Sequence, residues 1–384
     1  MYVHLPWCEH KCPYCDFNSH PLKGDLPASA YVDGLLADLE SVGEMHPDRR
    51  YGSVFFGGGT PSLFDSHQIE RILNHLDKGR WLDTDPEITI EANPGSAEAG
   101  RFRAYRDCGV NRLSLGVQSF NDQSLSALGR IHNGRDAGRA CRAILDAGFD
   151  NFNIDLMHGL PGQNTADALS DLREALAWAP THLSLYQLTI EPNTAFAADP
   201  PLLPDEEVLW EIRCAVHDLV GTSGFEHYEV SAFAHPESRC RHNLNYWEFG
   251  DYIGIGAGAH SKLSFGGAVY RWRRPRHPNE YLRTMATHCT PDPGPPLQPH
   301  ELLFEFMLNA LRLKRGFDPR LFNQRTGLDR SQYQTLVETA MADGLLLSDH
   351  ARIRTTPLGW RFLDDLLQRF LSHKEQPMTR DMMV

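Results

Sequence analysis

Nothing in this 384-residue sequence stays apolar for long enough to cross a bilayer as a helix, so stable membrane insertion is not expected. Nor does a basic segment followed by an apolar stretch stand near its start, so no export signal is visible. Positive charge is scarce: 37 Lys and Arg face 50 Asp and Glu, a net charge of −13. A protein whose main task is gripping a phosphate backbone carries the opposite balance, which excludes nucleic acid as an expected partner. Without an export signal the expected location is the cytoplasm, where thiols stay reduced. The eight cysteines then read as ligands or isolated core thiols, not as a disulfide framework. The sequence opens directly on strand-like Tyr2 and Val3, from which we expect a short leader ahead of them.

What is there is regular. The first half alternates short apolar runs with amphipathic stretches. The runs are YVHLP, SVFFGGG, EITIEANP, RLSLGVQS, NFNIDLMHG and HLSLYQLTI; the stretches include YVDGLLADLE, SHQIERILNHL, GRDAGRACRAILDAG and TADALSDLREALAWA. Six strands alternating with helices predict an α/β fold over residues 1–198, a partial (β/α)6 TIM-like barrel with fewer strands than the eight of a closed one. The Pro-rich ADPPLLPDEE reads as a boundary. Residues 205–290 form an α/β extension, with the helix EVLWEIRCAVHDLV, the strand FEHYEVSAF and a Gly-rich segment ending GIGAGAHSK. A second linker, TPDPGPPLQP, precedes residues 300–372, where helices closed by the hairpin LLLSDHARIRTT and a last helix, PLGWRFLDDLLQRFL, predict a winged-helix-like α+β domain. The acidic balance favours a packing module over a DNA binder. The tail, 373–384, is expected to be disordered.

Polar residues gather where the strands end. Gly57, Gly58, Gly59 and Thr60 follow the second, Glu91 and Asn93 end the third, and Gln118 and Ser119 end the fourth. Asp155 ends the fifth, and Tyr186 and Gln187 lie late in the sixth. That rim is where a barrel of this kind keeps its site. Ser96 and Thr165 fit helix caps better than function. Glu91 and Asp155 do not, because each carboxylate sits inside an apolar strand run, where it is costly without a partner.

The opening MYVHLPWCEHKCPYCDFNSH places Cys8, Cys12 and Cys15 in a C-x3-C-x2-C spacing, with Phe17 where a fourth thiol might be sought. Three thiolates on one loop suit zinc or an iron–sulfur cluster. Zinc would take a fourth ligand from His4, His10 or His20. A four-iron cluster would keep one iron without a protein ligand, which is useful if a small molecule binds there. Cys108, Cys141, Cys214, Cys240 and Cys289 are scattered singly and read mostly as buried hydrophobes. The glycines of GGGTP can present successive N–H groups as an anion-binding nest.

The spacing and the CPYCDF context resemble the radical S-adenosylmethionine (SAM) superfamily, in which three cysteines hold a [4Fe-4S] cluster whose open iron binds SAM. YVHLPWC, FFGGGTPS, IEANP, GVQSFN, LGRIH and NIDLMHGLPGQ together resemble the oxygen-independent coproporphyrinogen III oxidase family over nearly the whole chain. The resemblance implies cluster ligands Cys8, Cys12 and Cys15. It implies SAM contacts from Tyr2, Tyr14, Gly58, Gly59, Thr60, Glu91, Gln118, Arg130 and Asp155. Two departures set this sequence apart from the oxidase proper: Phe17 replaces a further cysteine, and the oxidase's N-terminal extension is not in it. Both are similar to the HemW-type heme chaperone branch, as is an HNxxYW motif formed by His242, Asn243, Tyr246 and Trp247. The branch implies heme as a third cofactor, with His242 as candidate iron ligand and Cys240 as an alternative. The expected partners are an external electron donor and heme-acceptor proteins, membrane respiratory enzymes among them. Two other readings stay open here: oxidative decarboxylation of coproporphyrinogen III, and a zinc-stabilised barrel without redox chemistry.

Overall fold

The computed structural model describes residues 1–46, 48–95, 100–287, 290–349 and 351–371. Ser96, Cys289 and the tail from 373 lie outside them.

Six parallel strands form the centre: β1 (Tyr2–Leu5), β2 (Tyr51–Gly58), β3 (Leu82–Ala92), β4 (Arg112–Gln118), β5 (Phe152–His158) and β6 (His182–Gln187). They pair in sequence order, as a chain of strand–helix units must when each crossover is right-handed and short. Gly254–Ile255 adds a parallel strand beside β1, and the antiparallel pair Glu226–Glu229 and Ala232–Ala234 continues the sheet beyond β6. The sheet thus has nine strands and stays open, as the six-unit count predicts. FEHYEVSAF, expected as one strand, is two, because the chain reverses at Val230–Ser231.

Alternation along the strands separates two environments. Val3, Leu5, Val54, Phe56, Ile88, Ile90, Leu113, Leu115, Ile154 and Leu183 share one core with helix residues such as Leu35, Leu39, Ile72 and Ile144. The intervening residues face the barrel interior, and many are polar and buried: His4, Glu87, Thr89, Arg112, Ser114, Asn153, His182 and Ser184. Several crossover helices start at side-chain caps. Asn133 and Asn164 each form a capping box, with Asp136 and Asp167 respectively. Thr165, read from the sequence as a cap, is instead the first helical residue after Asn164.

The C-terminal part has its own core, built from Leu302, Phe306, Phe317, Phe322, Tyr333, Val337, Ile353 and Leu366. Its helices Pro299–Ala310, Pro319–Thr326 and Ser331–Ala342 are followed by the hairpin Leu346–Ser348 and Ile353–Thr355, the order expected of a winged-helix shape. The last predicted helix breaks at Phe362 into Pro357–Arg361 and Leu363–Gln368.

Candidate functional site

The loop carrying the three cysteines leaves β1 and is closed by a short parallel pairing of Trp7–Cys8 with His20–Pro21. Within it the Cys15 N–H donates to the Cys12 carbonyl at 3.1 Å, a tight turn that keeps the two cysteines close along the chain. Lys11 Nζ donates to the carbonyls of Phe17 and Ser19 at 3.1 and 3.2 Å. Asn18 Nδ2 donates to Ala257 O and Arg276 O, both at 3.0 Å, and so fastens the loop to the Gly-rich segment. That segment needs its glycines: a Cβ at Gly256 would meet the His4 carbonyl at 2.5 Å.

His4 is wired from both ring nitrogens. Burial lowers its pKa to about 4, so the ring is neutral. Its Nε2 faces the Asn18 carbonyl at 2.9 Å and must donate; Nδ1 then accepts from the Tyr2 hydroxyl at 2.9 Å. This histidine is structural and not a spare zinc ligand. Among the described residues no three His, Cys, Asp or Glu side chains converge on a single-ion position. A cubane asks for no such convergence, because each thiolate takes a different iron. Cys8, Cys12 and Cys15 are free and half-buried on one loop, a donor set that fits a cluster better than a tetrahedral zinc. Phe17 is 51% exposed.

Across from this loop, the turn after β2 approaches so closely that side chains are excluded. Gly58 has φ +120°, and a Cβ there would lie 2.6 Å from the His4 ring; at Gly59 it would lie 2.5 Å from the Trp7 carbonyl. The N–H groups of Gly59 and Thr60 donate to Leu5 O and Trp7 O at 2.9 and 2.8 Å. The Gly58 N–H donates to Glu91 Oε2 at 3.1 Å, so it is a carboxylate of this chain that takes the nest's donor.

Two predicted site residues, Thr60 and Arg130, meet through Asn93, which the sequence placed only at a strand end. Asn93 Nδ2 donates to Thr60 Oγ1 at 2.9 Å, and Arg130 Nη2 donates to Asn93 Oδ1 at 2.7 Å and to Gly116 O at 2.8 Å. Arg130 Nη1 lies 3.6 Å from the Cys12 sulfur, while its Nε is buried without a partner. LGRIH thus folds back on β4, and His132 completes the contact by facing Val117 O at 3.1 Å. Gln118 ends β4 at a register shift with φ +70°, a left-handed conformation that re-aims its side chain at the rim. Ser119 is a strut: its hydroxyl donates to the buried Asp171 at 2.7 Å.

Glu91 and Asp155 are the buried carboxylates of the rim. Burial, and then the neighbouring Asp155, pushes Glu91 up to about 8 against the opposing Gly58 N–H. Burial likewise raises Asp155, although Asn153 and Ser114 donate to it at 2.7 and 3.3 Å. Two buried carboxylates close to the Arg130 side of the rim suit a ligand that brings both hydroxyls and a positive charge. Tyr14 sits on the same side, 6.3 Å from the Phe196 ring.

His242 is not brought to this rim. It lies on the short helix Arg241–Trp247 at the opposite end of the barrel, 4% exposed, its ring stacked 4.9 Å from Phe55. Nδ1 faces Ser53 Oγ at 3.0 Å, and Nε2 is buried with no partner. Cys240 is fully buried beside Glu87. Neither reaches solvent as the chain stands.

A model of the radical SAM superfamily matches residues 2–175, and one of the HemN C-terminal domain matches 297–362. The heme chaperone HemW of Haemophilus influenzae is 43% identical over 97% of this chain and 98% of its own, and that of Escherichia coli is 44% identical with the same coverage. The bovine mitochondrial protein named radical S-adenosyl methionine domain-containing protein 1 is 34% identical over 98% of this chain and 88% of its own. Among solved structures, coproporphyrinogen III oxidase (HemN) of Escherichia coli, described as a radical SAM enzyme, superposes with a TM-score of 0.80. It is 23% identical, covering 97% of this chain and 89% of that one, a likeness of fold.

Proposed function

Since this chain belongs to the HemW family of the radical SAM superfamily, we propose that it is a heme chaperone: it binds heme and passes it to an acceptor protein, using a SAM-bound [4Fe-4S] cluster. The observation that carries this reading is likeness to HemW over nearly the full length, joined to an exposed Phe17 where the oxidase pattern has a cysteine. The two bacterial relatives above 40% identity are heme chaperones by name.

Cys8, Cys12 and Cys15 are the residues to hold the cluster, which when bound supplies one-electron chemistry at an iron open to a small molecule. Tyr2, Tyr14, Gly58, Gly59, Thr60, Glu91, Gln118, Arg130 and Asp155 form the SAM site in this reading. Arg130 offers the N–H groups it does not spend on Asn93 and Gly116 to a carboxylate, Glu91 and Asp155 accept from ribose hydroxyls, and the Gly58–Thr60 turn holds Glu91 in place through the Gly58 N–H. His242 is the candidate heme-iron ligand. Its unpartnered Nε2 supports that role, and its burial requires the helix Arg241–Trp247 to move aside before a porphyrin can reach it. An acceptor protein, with membrane respiratory enzymes as candidates, and an external reductant complete the scheme, and no helix of the described residues is long and apolar enough to cross a membrane.

The test is an anaerobic heme titration of cluster-reconstituted protein, with and without His242→Ala, following the Soret band. Saturable one-to-one binding that weakens in the variant supports the chaperone and its ligand. No saturable binding by the wild-type chain removes the proposal, and turnover of coproporphyrinogen III under the same conditions would replace it with the oxidase.

A further inference from the structure

A relay of buried hydrogen bonds joins the mouth of the barrel to its floor. Asn153 Nδ2 donates to Asp155 Oδ1 at 2.7 Å and to Ser114 Oγ at 2.8 Å. Its Oδ1 is left to accept, from Ser184 Oγ at 3.0 Å and from His182 Nδ1 at 2.7 Å. His182 is buried and neutral, so with Nδ1 donating, Nε2 accepts from the Tyr228 hydroxyl at 2.7 Å. The Tyr228 oxygen faces the backbone N–H of Cys240 at 3.4 Å. From there the next two N–H groups, of Arg241 and His242, both donate to Glu87 at 3.0 Å. The guanidinium of Arg112, 2% exposed, lies in the field of Asp155 at one end and of Glu87 and Cys240 at the other.

We propose that Asn153, His182 and Tyr228 are positioning residues that couple Asp155 at the mouth to the 240–242 segment at the floor, so that SAM and heme change each other's affinity. This rests on the reading of the two sites given above and adds the link between them.

The bistable element is the Asn153 amide. While the Asp155 carboxylate is free it demands the NH2 group, and that choice fixes every bond as far as Tyr228. A proton on Asp155 reverses that demand: the acid then donates to the Asn153 oxygen and the amide turns over, whereas a cationic ligand at the mouth holds the carboxylate ionised and keeps the first arrangement. Turned over, Asn153 donates to His182 Nδ1, the ring carries its proton on Nε2, and Tyr228 accepts from it. The phenolic hydrogen must then point toward the Cys240 N–H, donor against donor, which loosens the segment that carries His242. Serine hydroxyls at 114 and 184 rotate to follow. In a compartment without water a mispaired member costs about 1–3 kcal/mol, so the relay behaves as two arrangements and not as a continuum. Because coupling is reciprocal, heme must alter SAM affinity by the factor by which SAM alters heme affinity.

The experiment uses the full, cluster-reconstituted chain under anaerobic conditions. SAM affinity is measured with and without saturating heme, and heme affinity with and without saturating SAM, in wild type, Tyr228→Phe and Tyr281→Phe. Tyr281 supplies a buried hydroxyl outside the relay, bonded to Asp38 at 2.9 Å. The expected wild-type factor is at least about five-fold and equal in both directions. It should fall to about one in Tyr228→Phe, with each separate affinity little changed, and persist in Tyr281→Phe. A wild-type factor of one, or a Tyr228→Phe chain that keeps the wild-type factor, overturns the relay while leaving both sites standing. Failure of the wild type to bind SAM or heme at all overturns the site reading, and the relay with it. Should Tyr228→Phe not fold, the factor is read in His182→Leu, which has no ring nitrogen to pass the change from Asn153 to Tyr228.

Discussion

The guanidinium of Arg130 stands 3.6 Å from the sulfur of Cys12, held there from behind by Asn93 Oδ1 and Gly116 O. One side chain therefore joins the cysteine loop, the end of β3 and the bulge of β4. Its position depends on a fork: one nitrogen bonds protein oxygens while the other faces the thiol. Lysine has a point charge and cannot do both. Arg130→Lys is expected to weaken SAM binding about ten-fold or more while leaving most of the iron in place, as read by equilibrium dialysis and iron analysis. Unchanged SAM affinity would return Arg130 to a purely structural role.

Replacing Cys8, Cys12 or Cys15 with serine is expected to abolish the brown colour and the bound iron and sulfide of anaerobically purified protein. Phe17→Cys should change neither cluster content nor activity toward coproporphyrinogen III, because position 17 is 51% exposed. A variant that gained oxidase turnover would show the missing thiol to be the deciding difference.

Gly59→Ala puts a methyl carbon 2.5 Å from the backbone oxygen of Trp7, the atom that accepts the Thr60 N–H. Backbone cannot swing aside as a side chain can. We expect a loss of about 2 kcal/mol in unfolding free energy, together with impaired cluster loading, since the displaced segment is the one leading into Cys8. Urea unfolding and iron content measure the two effects.

Glu91 makes the unliganded protein sensitive to alkali. Its folded pKa of about 8 lies above the ordinary 4.5, so the folded state holds a proton that the unfolded chain has released between those values. Stability from this group is complete below about pH 4.5 and is lost as pH rises through 8, by about 5 kcal/mol at most. Glu91→Gln, which keeps the shape without the titration, should flatten that slope in urea midpoints taken across pH 5–9. An identical slope in the variant would assign it to other groups.

The six strands were legible because β-branched and aromatic runs recur between amphipathic ones. The rim residues were legible because Glu91, Gln118 and Asp155 fall where those runs stop. The barrel interior was not read, though its signal was present. In RLSLGVQ, Arg112, Ser114, Gly116 and Gln118 alternate with Leu113, Leu115 and Val117, and in FNIDL, Asn153 and Asp155 do the same. Read only as apolar runs, these strands hid a second face that must find polar partners within the barrel. Asn93 was seen as a strand-end residue but not as the bridge from Thr60 to Arg130, because its partners come from loops 33 and 37 residues away. The HNxxYW motif was visible at once. Its burial beneath the barrel was not, since spacing says nothing about which end of a sheet a distant helix will close.

An open sheet has two borders, and each is a place where another chain can add itself. On one side the border strand is two residues long, Gly254–Ile255. On the other it is Glu226–Glu229, where Glu226 pairs with Arg239 and the segment Leu313–Lys314 already bonds along the strand at Tyr228 and Glu229. Short, charged borders are poor templates for extending the sheet from molecule to molecule. A half-closed barrel can therefore remain separate in a crowded solution without spending two more strand–helix units on closing the ring.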